Sequence, residues 1–274
     1  MPVEDLGFDV DDVLRWFSTE HSDCYTLVRV DDKTSEVWAE KLAQTLRRCY
    51  AKDALVEERV LATGLNASEV MAALLPSRGS IKAGDFGEFF AYLYQAAEAH
   101  PEAAVGPKKW RMKANSDSPA PGSDVVQFLL PSWPTPSDLD VVVCAEVKTK
   151  STDREWSPIK NAIDGCRKDR TSRLATTLVW LRDRAVIDDV SGVDLDTLNR
   201  FVNADAHPPA EKRFRAIALV ETDLLESELE DAPDVPPEDY SLIIIAFSGL
   251  YDVYNEVFGV AAGSLDPPEE VGPE

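Results

Sequence analysis

The chain has 274 residues, with 28 Lys/Arg against 50 Asp/Glu and a net charge of −22. That length buries a core readily and allows one large domain or two small ones, while no apolar run approaches the ~20 residues of a membrane span. The acidic start MPVEDLGFDVDD carries no signal-peptide stretch, and Cys24, Cys49, Cys144 and Cys166 form no C-x-x-C pair, so a cytoplasmic protein with reduced thiols is expected.

Only three histidines are present (His21, His100 and His207), and none is spaced for a metal site, which argues against His-dependent nucleases and zinc hydrolases. Phe8–Phe17 reads as a short helix, with Asp9 or Asp11 able to cap it. Tyr25–Val30 reads as a strand. Ser35–Ala51 is an amphipathic helix with Val37, Leu42, Leu46 and Tyr50 available to the core. Asp53–Ala62 and Asn66–Leu75 are further helices, the second capped by Asn66 or Ser68. Residues 1–78 thus form an N-terminal α/β section without a cluster of catalytic residue types, suited to a structural or partner-docking role.

Gly84–Ala99 reads as a helix whose Phe89, Phe90, Leu93 and Ala97 make a broad buried face. Glu88 falls near its start. A glutamate there is ordinarily a dipole or capping group, but Gly84, Gly87 and Ala91 flank it and permit close approach. Lys108–Lys113, KKWRMK, is the densest basic stretch. It suits either an edge strand protected by lysines or a phosphate-contacting strip. Ala114–Pro121 is a polar loop.

Gly122–Lys150 carries the chemistry. Val125–Leu130 and Val141–Val147 are β-branched runs joined by a Pro/Ser/Trp turn, and read as neighbouring strands. Asp124 opens the first. Glu146 and Lys148 share one face near the end of the second. Charges at the tail of a buried strand are costly unless they pair or bind something. Two carboxylates brought together by adjacent strands suit a hard cation, Mg²⁺ or Mn²⁺. Such an ion acidifies a bound water, and a neighbouring lysine orients that water or stabilises phosphoryl charge. The plain alternative is a surface hairpin with a salt-bridged Glu/Lys pair.

Ser157–Arg167 reads as a helix with Pro158 in its first turn and Ile159, Ala162, Ile163 and Cys166 buried. Lys150 precedes this helix, and Lys160, Arg167, Lys168 and Arg170 add cations that suit either DNA backbone or solvent. Thr171–Val186 and Val193–Val202 are helices. Phe214–Val220 and Leu242–Phe247 are strands inside a sheet. Glu221–Asp239 is an acidic loop or helix plus loop, Tyr251–Val260 a helix, and Ala261–Glu274 a disordered tail. No G-x-x-x-x-G-K-[ST] loop occurs, so no bound nucleotide is expected. From Lys82 to Arg184 there are 15 Lys/Arg and 14 Asp/Glu, a net of +1, which leaves 13 and 36, a net of −23, for the flanks.

The spacing Asp124…Glu146-Val147-Lys148 resembles the D…(D/E)-x-K signature of the PD-(D/E)XK nuclease superfamily. The wider order is GDFGEFF on a helix, then KKWRMK, NSD, GSD, a strand and AEVK. It resembles the nuclease subunit of the Hachiman anti-phage defence system (HamA), well over residues 80–185 and loosely in the flanks. The Pro131–Pro136 connection with Trp133 and the acidic flanks depart from that pattern.

The resemblance implies an α/β fold with a mixed sheet flanked by helices, a restriction-endonuclease-like core over residues 79–260. It implies a nuclease centre of Glu88, Asp124, Glu146 and Lys148, with the three acids holding Mg²⁺ or Mn²⁺. Lys109 and Lys113 match the family's basic strand, and with Lys150 and Lys160 are expected to contact DNA. A separately encoded superfamily 2 helicase partner is also implied. A chain this acidic should bind free DNA poorly, so the partner is expected to deliver substrate or release inhibition. The alternatives are a non-catalytic scaffold on the same core and a stand-alone restriction-type nuclease.

Overall fold

The computed structural model describes residues 6–7, 9–30, 35–186 and 193–263. Helix α1 (Val10–Leu14) leads into a hairpin of β1 (Phe17–His21) and β2 (Thr26–Val30). Three helices follow: α2 (Ser35–Tyr50), α3 (Asp53–Thr63) and α4 (Ala67–Leu74). Asn66 caps α4 and Glu69 returns the bond, a reciprocal box that fixes where the helix starts. The long α5 (Gly79–Ala99) precedes β3 (Ala104–Val105), a 3-10 turn over Lys109–Met112, β4 (Val125–Leu129) and β5 (Val141–Lys150). Next, α6 (Pro158–Lys168) runs through a π-helical turn, Asp169–Arg173, into α7 (Leu174–Ala185). Then come α8 (Leu195–Val202), β6 (Glu211–Glu221), α9 (Leu225–Leu229), β7 (Ser241–Phe247) and α10 (Leu250–Gly263).

The strands form one seven-stranded mixed sheet in the order β1-β2-β7-β6-β5-β4-β3. β2, β7, β6 and β5 run parallel. β4 is antiparallel to β5, with Val125 opposite Ala145. The central strands read as continuous apolar runs because both faces are covered. On one face, Val143, Ala145, Val147, Ile217 and Ile245 pack with α5, α2 and α10. On the other, Ala216, Ala218 and Ile244 lie under α6, and Val126, Phe128 and Val142 under α7 and α8. The mixed α/β sheet flanked by helices is therefore as expected. The N-terminal section shares this sheet, since β2 pairs directly with β7.

Several boundaries differ from expectation. The helix expected over Phe8–Phe17 stops at Leu14, and Phe17 begins β1. FSTEH is half-buried only at its first residue, as suits an edge strand without an apolar pattern. α5 begins at Gly79 rather than Gly84. The KKWRMK stretch is a 3-10 turn rather than a strand. Residues 171–173 belong to the π-helical turn rather than to a new helix. Residues 261–263 complete α10. Phe8, the side chains of Asp11 and Val37, and residues 264–274 lie outside the described residues. No helix among the described residues is long and apolar enough to cross a membrane.

Candidate active site

The tail of β5 presents alternate residues to opposite layers. Val143, Ala145 and Val147 join the core under α5, while Glu146 turns toward α6. A Cβ built at Gly165 would lie 2.3 Å from the Glu146 carboxylate, so only glycine at that point of α6 lets the acid fit. Lys148 Nζ donates to Glu146 Oε1 at 2.6 Å. Because Val125 pairs with Ala145, the preceding Asp124 comes opposite Glu146. Its Oδ2 accepts the Val147 N–H at 2.8 Å and sits 3.6 Å from Lys148 Nζ.

Glu88 arrives from α5. It stands nine residues after Gly79, about two and a half turns into the helix, so it is neither a cap nor a first-turn dipole partner. A Cβ at Gly87 would fall 2.0 Å from Thr149 Oγ1, and the missing side chain lets α5 lie against the β5 tail. Glu88 is only 8% exposed, and its Oε2 is buried without a hydrogen-bond partner. Glu88, Asp124 and Lys148 line one open cleft of about 580 Å³.

The electrostatics follow from this crowding. Burial, then the Asp124 charge, pushes the Glu88 carboxyl well above the usual carboxylate range. Burial and Asp124 also raise Glu146, against the pull of Lys148 and Arg173. Burial alone would weaken the hold of Lys148 on its proton. Asp124 and Glu146 outweigh that effect, and its pKa is raised. Lys148 thus holds its proton between two carboxylates.

Sequence reasoning missed the residues that brace the site. Arg173, on the π-helical turn, donates to Glu146 Oε2 and, at 3.0 Å, to the Gly165 carbonyl. Its Nε donates to Asp169 Oδ1 at 2.6 Å. Asp169 also accepts from Ser123 Oγ at 2.6 Å, and the Ser123 N–H donates to Thr177 Oγ1 at 2.9 Å. The chain Ser123–Asp169–Arg173–Glu146 thus ties the residue before Asp124 to the neighbouring acid. The Asp169/Arg173 spacing of four was the available signal, and π turns frequently mark functional segments.

The lysines expected to contact DNA have partners within the chain. Lys109 is buried and donates to the carbonyls of Ser123 and, at 3.2 Å, Asp124. Lys113 is ion-paired with Asp85 inside the protein. Burial raises the Asp85 carboxyl, with Lys113 opposing. Lys150 is buried, pairing with Glu228 and donating to the Trp156 carbonyl at 3.0 Å. Lys160 lies on the surface, 2.6 Å from Asp231. KKWRMK therefore supplies internal struts, neither a lysine-lined edge nor a solvent-facing strip.

The donor chemistry suits a hard divalent cation: carboxylate oxygens, one of them buried and unpartnered, at an open cleft. Among the described residues, no three His, Cys, Asp or Glu side chains already converge as a metal site. Glu88 and Asp124 fit the role, whereas both oxygens of Glu146 are taken by Lys148 and Arg173.

No curated protein matches the chain. A family model described as HamA matches residues 8–258. The chain therefore belongs to the HamA family, a component of Hachiman anti-phage defence.

Proposed function

We propose that the chain is a divalent-metal-dependent deoxyribonuclease of the PD-(D/E)XK type, the cytoplasmic effector of its Hachiman system, restrained or supplied with DNA by a superfamily 2 helicase subunit. The observation that carries this reading is the buried, unpartnered Glu88 oxygen beside Asp124 and Lys148 in one open cleft. A structural acid at 8% exposure would be paired, and this one is kept ready for a ligand.

Glu88 and Asp124 would hold Mg²⁺ or Mn²⁺, and Glu146 would join them only by releasing Lys148 or Arg173. Such an ion acidifies a bound water and offsets charge on the phosphoryl group. Lys148, held as an ammonium, donates to a phosphoryl oxygen and stabilises the charge that grows there. Arg173 and Lys148 fix the Glu146 carboxylate, and Lys109 pins the backbone at Ser123 and Asp124. The site is thus set by its supports before substrate arrives. The flanks, net −23, repel free DNA, and a translocating partner would supply the work of bringing a polyanion to an acidic protein.

The commitment of both Glu146 oxygens to cations favours one rival, a scaffold that assembles without catalysis. The test is plasmid degradation with Mg²⁺ by the wild type and Lys148→Ala, with and without the helicase subunit and ATP. The nuclease reading expects cutting by the wild type only, mainly with partner and ATP. If neither variant cuts while the partner still binds, the chain is an assembly module.

A further inference from the structure

The cleft that holds Glu88, Asp124 and Lys148 extends beyond them. One wall is the first half of α5, where Gly79, Ser80, Ala83 and Gly84 offer almost no side chain. A Cβ added at Gly79 or Gly84 would meet nothing within 4 Å, so the space is open. The β5 tail and the segment leading to Trp156 also line the cleft, and α10 contributes Tyr251 and Tyr254. Tyr251 is 51% exposed. The buried Tyr254 supports it edge-on, with ring centroids 5.5 Å apart. Phosphodiester hydrolysis at the acids needs no aromatic rings, so Tyr251 and Trp156 require a separate reason.

We infer that this extension is a stacking platform for an unpaired DNA strand, and that the substrate class is single-stranded or locally melted DNA. The inference rests on the phosphodiesterase reading and names its substrate. Bases stack on Tyr251 and Trp156 while the backbone passes the small-residue face of α5 toward the acids. Aromatic faces accept any base, which gives binding without sequence preference. A cavity of about 580 Å³ falls in the range of small-molecule pockets. It has room inside for roughly one or two nucleotides. Glu88 lies at 8% exposure, so the scissile phosphate must descend into the cleft, a path that base pairing to a second strand obstructs. Lys148 inside and the exposed Arg154 at the rim supply the cations that track a backbone.

The test measures fluorescence anisotropy of a labelled short oligothymidylate and of a hairpin duplex, with full-length protein, Ca²⁺ as the divalent ion and low salt. The wild type should bind the oligothymidylate more tightly. Tyr251→Ala should weaken that binding roughly tenfold, within the 1–3 kcal/mol of one base–aromatic stack, and Tyr251→Phe should retain it. Trp156→Leu gives a second reading on the other ring. Duplex binding as tight as single-strand binding, or no loss in Tyr251→Ala and Trp156→Leu, overturns the platform. If Lys148-dependent cleavage with Mg²⁺ persists alongside either result, only the platform falls. If the Tyr251-dependent preference is found and no preparation cleaves DNA, the platform stands and the hydrolase reading falls.

Discussion

β5 has a buried charge cluster at each end, and the two are built to opposite effect. At its start, Asp140 is fully buried and faces Arg200 at 2.8 Å. Both Asp140 oxygens are used, since Ser137 donates from its N–H at 3.0 Å and its hydroxyl at 3.1 Å. Arg200 also donates to the Ser137 carbonyl at 2.9 Å, leaving only its Nη1 unpartnered. One anion meets one cation, under the α8 layer. At the far end, Glu88, Asp124 and Glu146 gather near Lys148 and Arg173, one Glu88 oxygen stays unpartnered, and a cleft opens onto Glu88, Asp124 and Lys148. A closed pair is architecture; an under-compensated cluster at a cleft is where a protein holds something else.

The contrast is broken most severely by Asp140→Ala. It strands Arg200 in the interior and should cost about 3–5 kcal/mol in chemical denaturation, with cleavage per folded molecule unchanged. Lys148→Ala should do the reverse. Plasmid cleavage falls about 10²–10³-fold, as when a charge-stabilising donor is removed, while stability falls far less than in Asp140→Ala.

Glu88→Gln sharpens the contrast. Folding raises the Glu88 carboxyl pKa, so the folded state binds its proton more tightly than the unfolded state does. The contribution of Glu88 to stability is therefore complete below the ordinary carboxylate range and is lost as pH rises through its raised value. Glu88→Gln should flatten that slope in EDTA. It should also raise Tm near neutral pH by a few degrees, about 2–4 °C per kcal/mol for a chain of this size, while abolishing cleavage. Lys160→Ala is the mildest. Lys160 is 65% exposed, so its loss should change stability by no more than about 0.5 kcal/mol. If Lys160 touches phosphate, the slope of log affinity against log salt falls by about 1.

Much of this was legible in the sequence where the physics is local. β-branched runs announced β4 and β5, short apolar runs announced β6 and β7, and the alternation on β5 put Glu146 and Lys148 together. Asn66 and Ser157 marked helix starts because capping is a short-range bond. What could not be read depends on layers distant in the chain. The glycines at 79 and 84 hid the first turns of α5, whose length is secured by packing rather than propensity. The lysines of KKWRMK suggested solvent, because the acceptors that bury them, Asp85 and the Ser123 carbonyl, belong to other elements. Arg173 was invisible as a brace for Glu146 because 27 residues and a π turn separate them.

The place of β7 in the sheet bears on how the chain matures. β7 lies between β2 and β6 and is the parallel partner of both. Its Phe247 packs against Phe86 and Phe90 of α5, the helix that carries Glu88. A nascent chain can bring α5, β4, β5 and β6 together, but the β1–β2 hairpin has no neighbour in the sheet until residues 241–247 leave the ribosome. Pairing over such sequence separations is slow to form. The acid cluster on α5, β4 and β5 thus draws on strands made before β7, whereas the N-terminal hairpin waits for β7, and a chain that stalls before it leaves Phe86 and Phe90 of α5 without their aromatic neighbour.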